Sequence, residues 1–181
     1  MQVVATWAPE DGILGALAPL GLANARPTCL VVDLDPAGPE YPGDLSLADI
    51  IERGPSRAEL SPSRSGVCVV KNGGAGAVDG IEVIHAMSVS WPCVVVRLPA
   101  AGLDVPWPSV KVRPLLPGNL FGRLENRAVY QRSYWPVPAP EQSIVLPVPR
   151  PAVVAALLAG NRIRRSPWIK AWGSVWDESW G

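Results

Sequence analysis

Residues 28–51, TCLVVDLDPAGPEYPGDLSLADII, constrain this chain more than any other stretch. An apolar run, Cys29 to Val32, ends on Asp33-Leu34-Asp35-Pro36, and Gly38, Pro39 and Pro42 follow. Ser46 then opens a segment with apolar residues at Leu47, Ile50 and Ile51. An unbroken aliphatic run bounded by turn residues reads as a strand covered on both faces. Two carboxylates at its end, a Pro/Gly turn and a Ser-capped helix place polar groups where an open α/β sheet forms its ligand crevice.

The rest of the chain continues this alternation. Strands are predicted at residues 1–7, 66–70, 91–98, 110–116 and 143–148, and helices at 10–24, 47–52, 78–89, 151–160 and 166–180. Asp11 is placed to cap the first helix, and Pro19 predicts that this helix is short or kinked. Residues 56–65 hold a short turn of helix and a polar loop, and the Pro- and aromatic-rich residues 117–142 read as loop or edge structure. Strands alternating with helices give a three-layer α/β sandwich with a mostly parallel sheet, in one domain over residues 1–181.

Composition excludes several classes. Hydrophobic residues make up 48% of the chain and charged ones 18%, which is too oily for a disordered protein. Lys+Arg and Asp+Glu both number 16, so no global field recruits nucleic acid. No apolar run reaches the roughly 18 residues that crossing a bilayer needs. The N-terminus lacks a basic region and carries Glu10 and Asp11, so no secretory signal is expected. Cys29, Cys68 and Cys93 sit in apolar runs without a CxxC, and His85 is the one histidine, so no metal site is expected. Buried thiols in a reducing cytoplasm are the reading that follows.

VVDLDPAG, residues 31–38, resembles the second-strand motif of the ParA/MinD family of deviant-Walker P-loop ATPases, in which an apolar strand ends in Asp-x-Asp-Pro-x-Gly. SLADII, residues 46–51, resembles the segment that comes next in ParA proteins. Leu146-Pro147 through Gly160-Asn161 and Ser166-Pro167 resemble the late strand-to-helix unit of the family. The resemblance implies a P-loop-NTPase-like fold, trimmed in its middle elements, with the acidic strand end beside a phosphate and Mg²⁺ site.

The departure from the family lies upstream. There the first strand feeds a Gly-rich loop with two lysines and then Thr or Ser. Here it feeds Ala8-Pro9-Glu10-Asp11-Gly12-Ile13-Leu14-Gly15, and no lysine precedes Lys71. A phosphate loop needs a cradle of backbone N–H groups, a lysine for the β- and γ-phosphates and a hydroxyl for Mg²⁺. Glu10 and Asp11 would repel a triphosphate, and only Gly12 and Gly15 remain as cradle residues. The expectation is a non-catalytic, cofactor-free pseudo-ATPase that binds a protein as regulator or scaffold in bacterial positioning: chromosome partitioning, cell division, or pilus or secretion localisation. An intact ParA-type ATPase or a second copy of the chain would be its partner, in the cytoplasm or peripherally at the inner face of the membrane.

Other residues carry competing readings. Asp33 and Asp35 could hold a cation or cap a helix, or simply satisfy turn N–H groups. Gly73-Gly74-Ala75-Gly76 after Lys71-Asn72 suits a tight strand-to-helix turn, and is the alternative nucleotide site of an ATP- and Mg²⁺-binding switch. His85 reads as an interior or boundary residue. Arg123, Arg127 and Arg132 are interleaved with Tyr130, Tyr134 and Trp135, a pattern that fits single-stranded nucleic acid but here reads as a folded edge with solvated arginines. Trp168, Trp172, Trp176 and Trp180 recur every four residues, one stripe on a helix, with Arg162, Arg164, Arg165 and Lys170 at its start. The stripe docks on the chain's own sheet, forms a partner surface together with Arg164 and Arg165, or lies in a membrane interface.

Overall fold

In the computed structural model, which describes residues 2–62, 65–118 and 124–180, six strands form where the apolar runs predict them and a seventh, at 129–132, does not correspond to a predicted strand. They are β1 (Gln2–Trp7), β2 (Thr28–Asp33), β3 (Gly66–Val70), β4 (Cys93–Arg97), β5 (Ser109–Leu115), β6 (Val129–Arg132) and β7 (Ile144–Leu146). They make one sheet in the order β3-β2-β4-β1-β5-β6-β7, and every neighbouring pair is parallel. The order reverses direction around β1, β2 and β4, so the crevice expected of such a sheet opens at their carboxyl ends.

Successive side chains on a strand face opposite ways. Leu30, Val32, Val94 and Val96 therefore join one apolar cluster, and Val31, Val95 and Val4 join the other. The first cluster is closed by α2 (Leu47–Arg53) and α4 (Ala77–Ser88), through Leu47, Ile50, Ile84 and Met87. A single turn, α3 (Arg57–Leu60), lies between these two helices in sequence. The second cluster is closed by α1 (Gly12–Asn24), α5 (Pro151–Leu158) and α6 (Pro167–Asp177). The result is the three-layer α/β arrangement, with an all-parallel sheet.

Three expectations need correction. α1 runs unbroken through Pro19 to Asn24. Proline inside a helix costs about 3 kcal/mol, but all eleven residues from Leu14 to Asn24 are buried and their burial outweighs it. The apolar stripe assigned to this helix also fails at its first member, since Ile13 is 66% exposed. Residues 117–142 are not all loop or edge: β6 lies inside the sheet between β5 and β7. Its Tyr130 is fully buried, so the aromatic and basic residues of this stretch do not form one surface. Arg132, Tyr134 and Trp135 are exposed, and Arg123 lies outside the described residues. His85 is exposed on α4 rather than interior. Cys29 is buried as expected, while Cys68 and Cys93 are half-buried.

Candidate functional site

β2 delivers Asp33 to its carboxyl end, and β4 delivers Arg97 to the neighbouring position, the two being paired in register. The run ending in Asp33-Leu34-Asp35-Pro36 turns there because each carboxylate takes a backbone N–H two residues on. Asp33 Oδ1 accepts from Asp35 at 2.9 Å, and Asp35 Oδ1 accepts from Ala37 at 3.1 Å. The other oxygen of each acid is held by Arg97. Nη1 lies 3.2 Å from Asp33 Oδ2, and Nη2 lies 2.9 Å from Asp35 Oδ2. Nη1 also donates to the Pro39 carbonyl at 2.7 Å, and the guanidinium sits 5.3 Å from the centre of the Tyr41 ring. Tyr41 in turn donates its hydroxyl hydrogen to the Ala16 carbonyl at 2.7 Å, which ties this loop to α1. Gly38 is required here, because a Cβ would overlap Arg97 Nη2 and come within 2.7 Å of its Cζ.

The Arg97 and Asp33 side chains are 1% and 2% exposed. Burial pushes the Asp33 carboxyl up to about 6, against the opposing pull of Arg97. A buried ion pair is costly to break once formed, because the survivor is left charged in a low dielectric.

The crevice beside this cluster measures about 310 Å³ and brings together Asp33, Asp35, Gly73 and Gly74, four of the residues the sequence nominates. Glu40 and Asn72 complete its rim. Gly73 and Gly74 both take left-handed backbone, at φ 67° and 88°. Gly73 also presses on the start of α2, where a Cβ would come within 2.5 Å of Ser46 Cβ. The Gly74 N–H is taken by Asn72 Oδ1 at 2.9 Å, and Asn72 Nδ2 donates to the Asp33 carbonyl at 3.2 Å. The loop after β3 thus spends the Gly74 N–H on its own turn. Lys71 pairs with Glu40 of the rim, 3.1 Å distant. The acids of the crevice therefore face cations supplied by the chain itself, and no nucleophile stands beside a general base here.

Gly12 and Gly15 lie at the start of α1, which follows the carboxyl end of β1. Asp11 Oδ1 accepts the N–H groups of Ile13 and Leu14, both at 2.9 Å, and so occupies the anion position of this helix. Glu10 reaches Arg113 on β5, with Oε1 2.7 Å from Nη2. Arg113 is 4% exposed, so this acid is also matched from within. Neither Gly12 nor Gly15 lines the crevice that Gly73 and Gly74 border.

The tryptophan stripe faces inward. Trp168, Trp172 and Trp176 are at most 3% exposed, and Trp180 is half-buried. Trp168 and Trp172 meet edge to face at 5.6 Å, and they press on Gly21 of α1. Trp168 Nε1 donates to Gln131 on β6 at 2.6 Å, and Trp176 Nε1 donates to the Leu22 carbonyl at 2.9 Å. These three rings are spent on closing the core, which removes them from the expected partner surface and from a membrane interface. Arg164 and Arg165 remain exposed.

Sequence reasoning missed Arg97. Its signal is present: a lone charge ends the apolar run CVVVR, where a buried strand supplies no solvent and a counter-charge must be found. Arg113 in VKVRPLL carries the same signal.

No protein-family model matches this sequence, and no curated protein matches it. The structure resembles a chain of the MinC:MinD cell division protein complex of Aquifex aeolicus, with a TM-score of 0.58 and 12% identity over 99% of this chain and 97% of that one. The fold is MinD-like. On that MinD-like scaffold, the crevice at the strand ends holds an internal Arg97 cluster, and the first helix is capped by a carboxylate.

Proposed function

We propose that this chain is a non-catalytic protein of the ParA/MinD type, acting in the cytoplasm by binding a protein partner as a regulator or scaffold of bacterial positioning, with cell division the process its structural neighbour favours. The observation that carries this reading is Asp11. Its carboxylate sits on the α1 N–H groups that would receive a phosphate, and a negative group already in that place repels another. Arg97 reinforces the reading, because it neutralises Asp33 and Asp35 where a bound cation would have to compete with a covalently attached one. The absence of any lysine before Lys71 removes the usual charge for a transferring phosphoryl group. The neighbour's description as a complex of MinC and MinD supports a protein as the partner class.

Calorimetry with ATP and Mg²⁺, together with phosphate release, tests this. No saturable heat and no turnover above buffer are expected, and Asp33→Ala or Asp35→Ala changes neither. Micromolar affinity for ATP, or a turnover that either substitution abolishes, refutes it.

A further inference from the structure

The charges of this chain cancel overall, yet between Glu141 and Asp177 it contains no Asp or Glu. Arg162, Arg164, Arg165 and Lys170 all fall in that interval, around the start of α6. Arg162 turns inward and donates to the Pro27 carbonyl at 2.8 Å. Arg164, Arg165 and Lys170 are exposed, and none forms an ion pair among the described residues. Asp177, the next acid along, is drawn instead toward Arg26, at 3.6 Å.

These three cations border a groove of about 810 Å³ between the end of α1 and the start of α6. Its accessible apolar lining comes from Ala25, Pro167 and Gly173, while Ile169 at its floor is only 3% exposed. Asn24, buried at the end of α1, lines the groove. Its Oδ1 accepts the Ile163 N–H at 2.9 Å, and its Nδ2 donates to the Leu20 carbonyl at 2.8 Å, which ties the segment before α6 to the end of α1.

Clustered like charges over a concave, partly apolar surface focus a positive potential and attract an anion. The shape selects among anions. A bilayer surface is too flat to enter a groove, and a phosphodiester backbone has no apolar group to offer Pro167 and Ala25. A peptide with an apolar residue between acids satisfies both. We propose that this groove is the docking site for an acidic segment of a protein partner, whose carboxylates meet Arg164, Arg165 and Lys170 while an apolar side chain rests on Pro167 and Ala25. The proposal rests on the protein-binding reading above and names the surface and the partner's chemistry.

The test uses the full chain and a fluorescein-labelled peptide of repeated Glu-Leu-Asp triplets, followed by anisotropy. Saturable binding is expected, weakened when serine replaces leucine in the peptide and when salt shortens the screening length. The variant Arg164→Ser, Arg165→Ser, Lys170→Ser changes only exposed side chains, and should lose about tenfold or more in affinity, as three modest ion pairs together imply. Arg164→Glu alone should also weaken binding. Absence of saturable binding overturns the proposal, as does binding that the triple variant leaves unchanged. Tighter binding of a duplex DNA oligonucleotide, or of phosphatidylglycerol vesicles, through the same three residues also overturns it. ATP binding in the separate calorimetry would sink the non-catalytic reading alone, and a silent peptide titration would sink this proposal alone.

Discussion

Replacing Gly21 by alanine inserts one methyl group between α1 and α6. A Cβ there would overlap Trp172 Nε1, and would lie 2.6 and 2.7 Å from Trp168 Cη2 and Cζ3. Comfortable separation for such atoms is about 3.5–4.0 Å, so the helices must part by about 1 Å or the rings must tilt. Neither ring has room. Trp168 and Trp172 are 1% and 0% exposed, they pack on each other, and Trp168 is also tethered to Gln131. Overpacking of this kind costs about 1–3 kcal/mol, and the better helix propensity of alanine returns up to about 1 kcal/mol. With that return the net is a loss of up to about 2 kcal/mol, or up to about 8 °C in Tm for a chain of this size. Gly173→Ala supplies the control, because a Cβ at that position on α6 meets no atom within 4 Å. It should stabilise by up to about 1 kcal/mol. Urea unfolding followed by tryptophan fluorescence reads both, as a shift in midpoint at constant slope. A Gly21→Ala midpoint at or above that of the parent, or one that tracks Gly173→Ala, would refute the close packing of the two helices.

The Arg97 cluster yields two further outcomes. Arg97→Met strands Asp33 without its counter-charge and should cost about 3–5 kcal/mol in the same unfolding assay, most of it recovered when Asp33→Asn is added. The Asp33 carboxyl titrates near 6 in the folded protein, above its unfolded value near 4, because of burial. The native state then holds this proton more tightly. Its contribution is fully present below about pH 4 and is lost as pH rises through about 6, by at most about 3 kcal/mol. Unfolding free energies across that window should fall with pH from this group, and the Asp33→Asn variant should remove that component. An unchanged slope in the variant would contradict it.

The order of strands and helices was legible wherever a run was long and uniformly apolar, as in residues 28–33 and 93–97. Such runs report burial on both faces, and burial on both faces is what a central parallel strand needs. β6 escaped notice for the opposite reason. VYQR is short and polar at its end, so its place inside the sheet is set by neighbours that the local sequence does not contain. Pro19 misled because local propensity weighs one missing hydrogen bond and a clash, while tertiary burial weighs eleven residues. His85 misled because helical spacing alone does not fix where the edge of a buried face falls.

The site was half legible. Asp33, Asp35, Gly73 and Gly74 could be nominated from strand ends and turn residues, and they do share a crevice. Their joining to Arg97 could not be read, since it depends on β4 lying beside β2, sixty-odd residues away in sequence. The four-residue recurrence of tryptophan identified a helix face for Trp168, Trp172 and Trp176, while Trp180 lies past the end of α6 at Asp177, and periodicity is blind to what covers a face. Gly21 was the missing half of that signal, a gap on α1 shaped to receive two indoles.

The tie between Arg97 and the segment from Asp33 to Pro39 has a consequence for the loop itself. A loop fastened from inside owes its form to the chain's own guanidinium, so its shape is set at folding and travels with the sheet that carries Arg97.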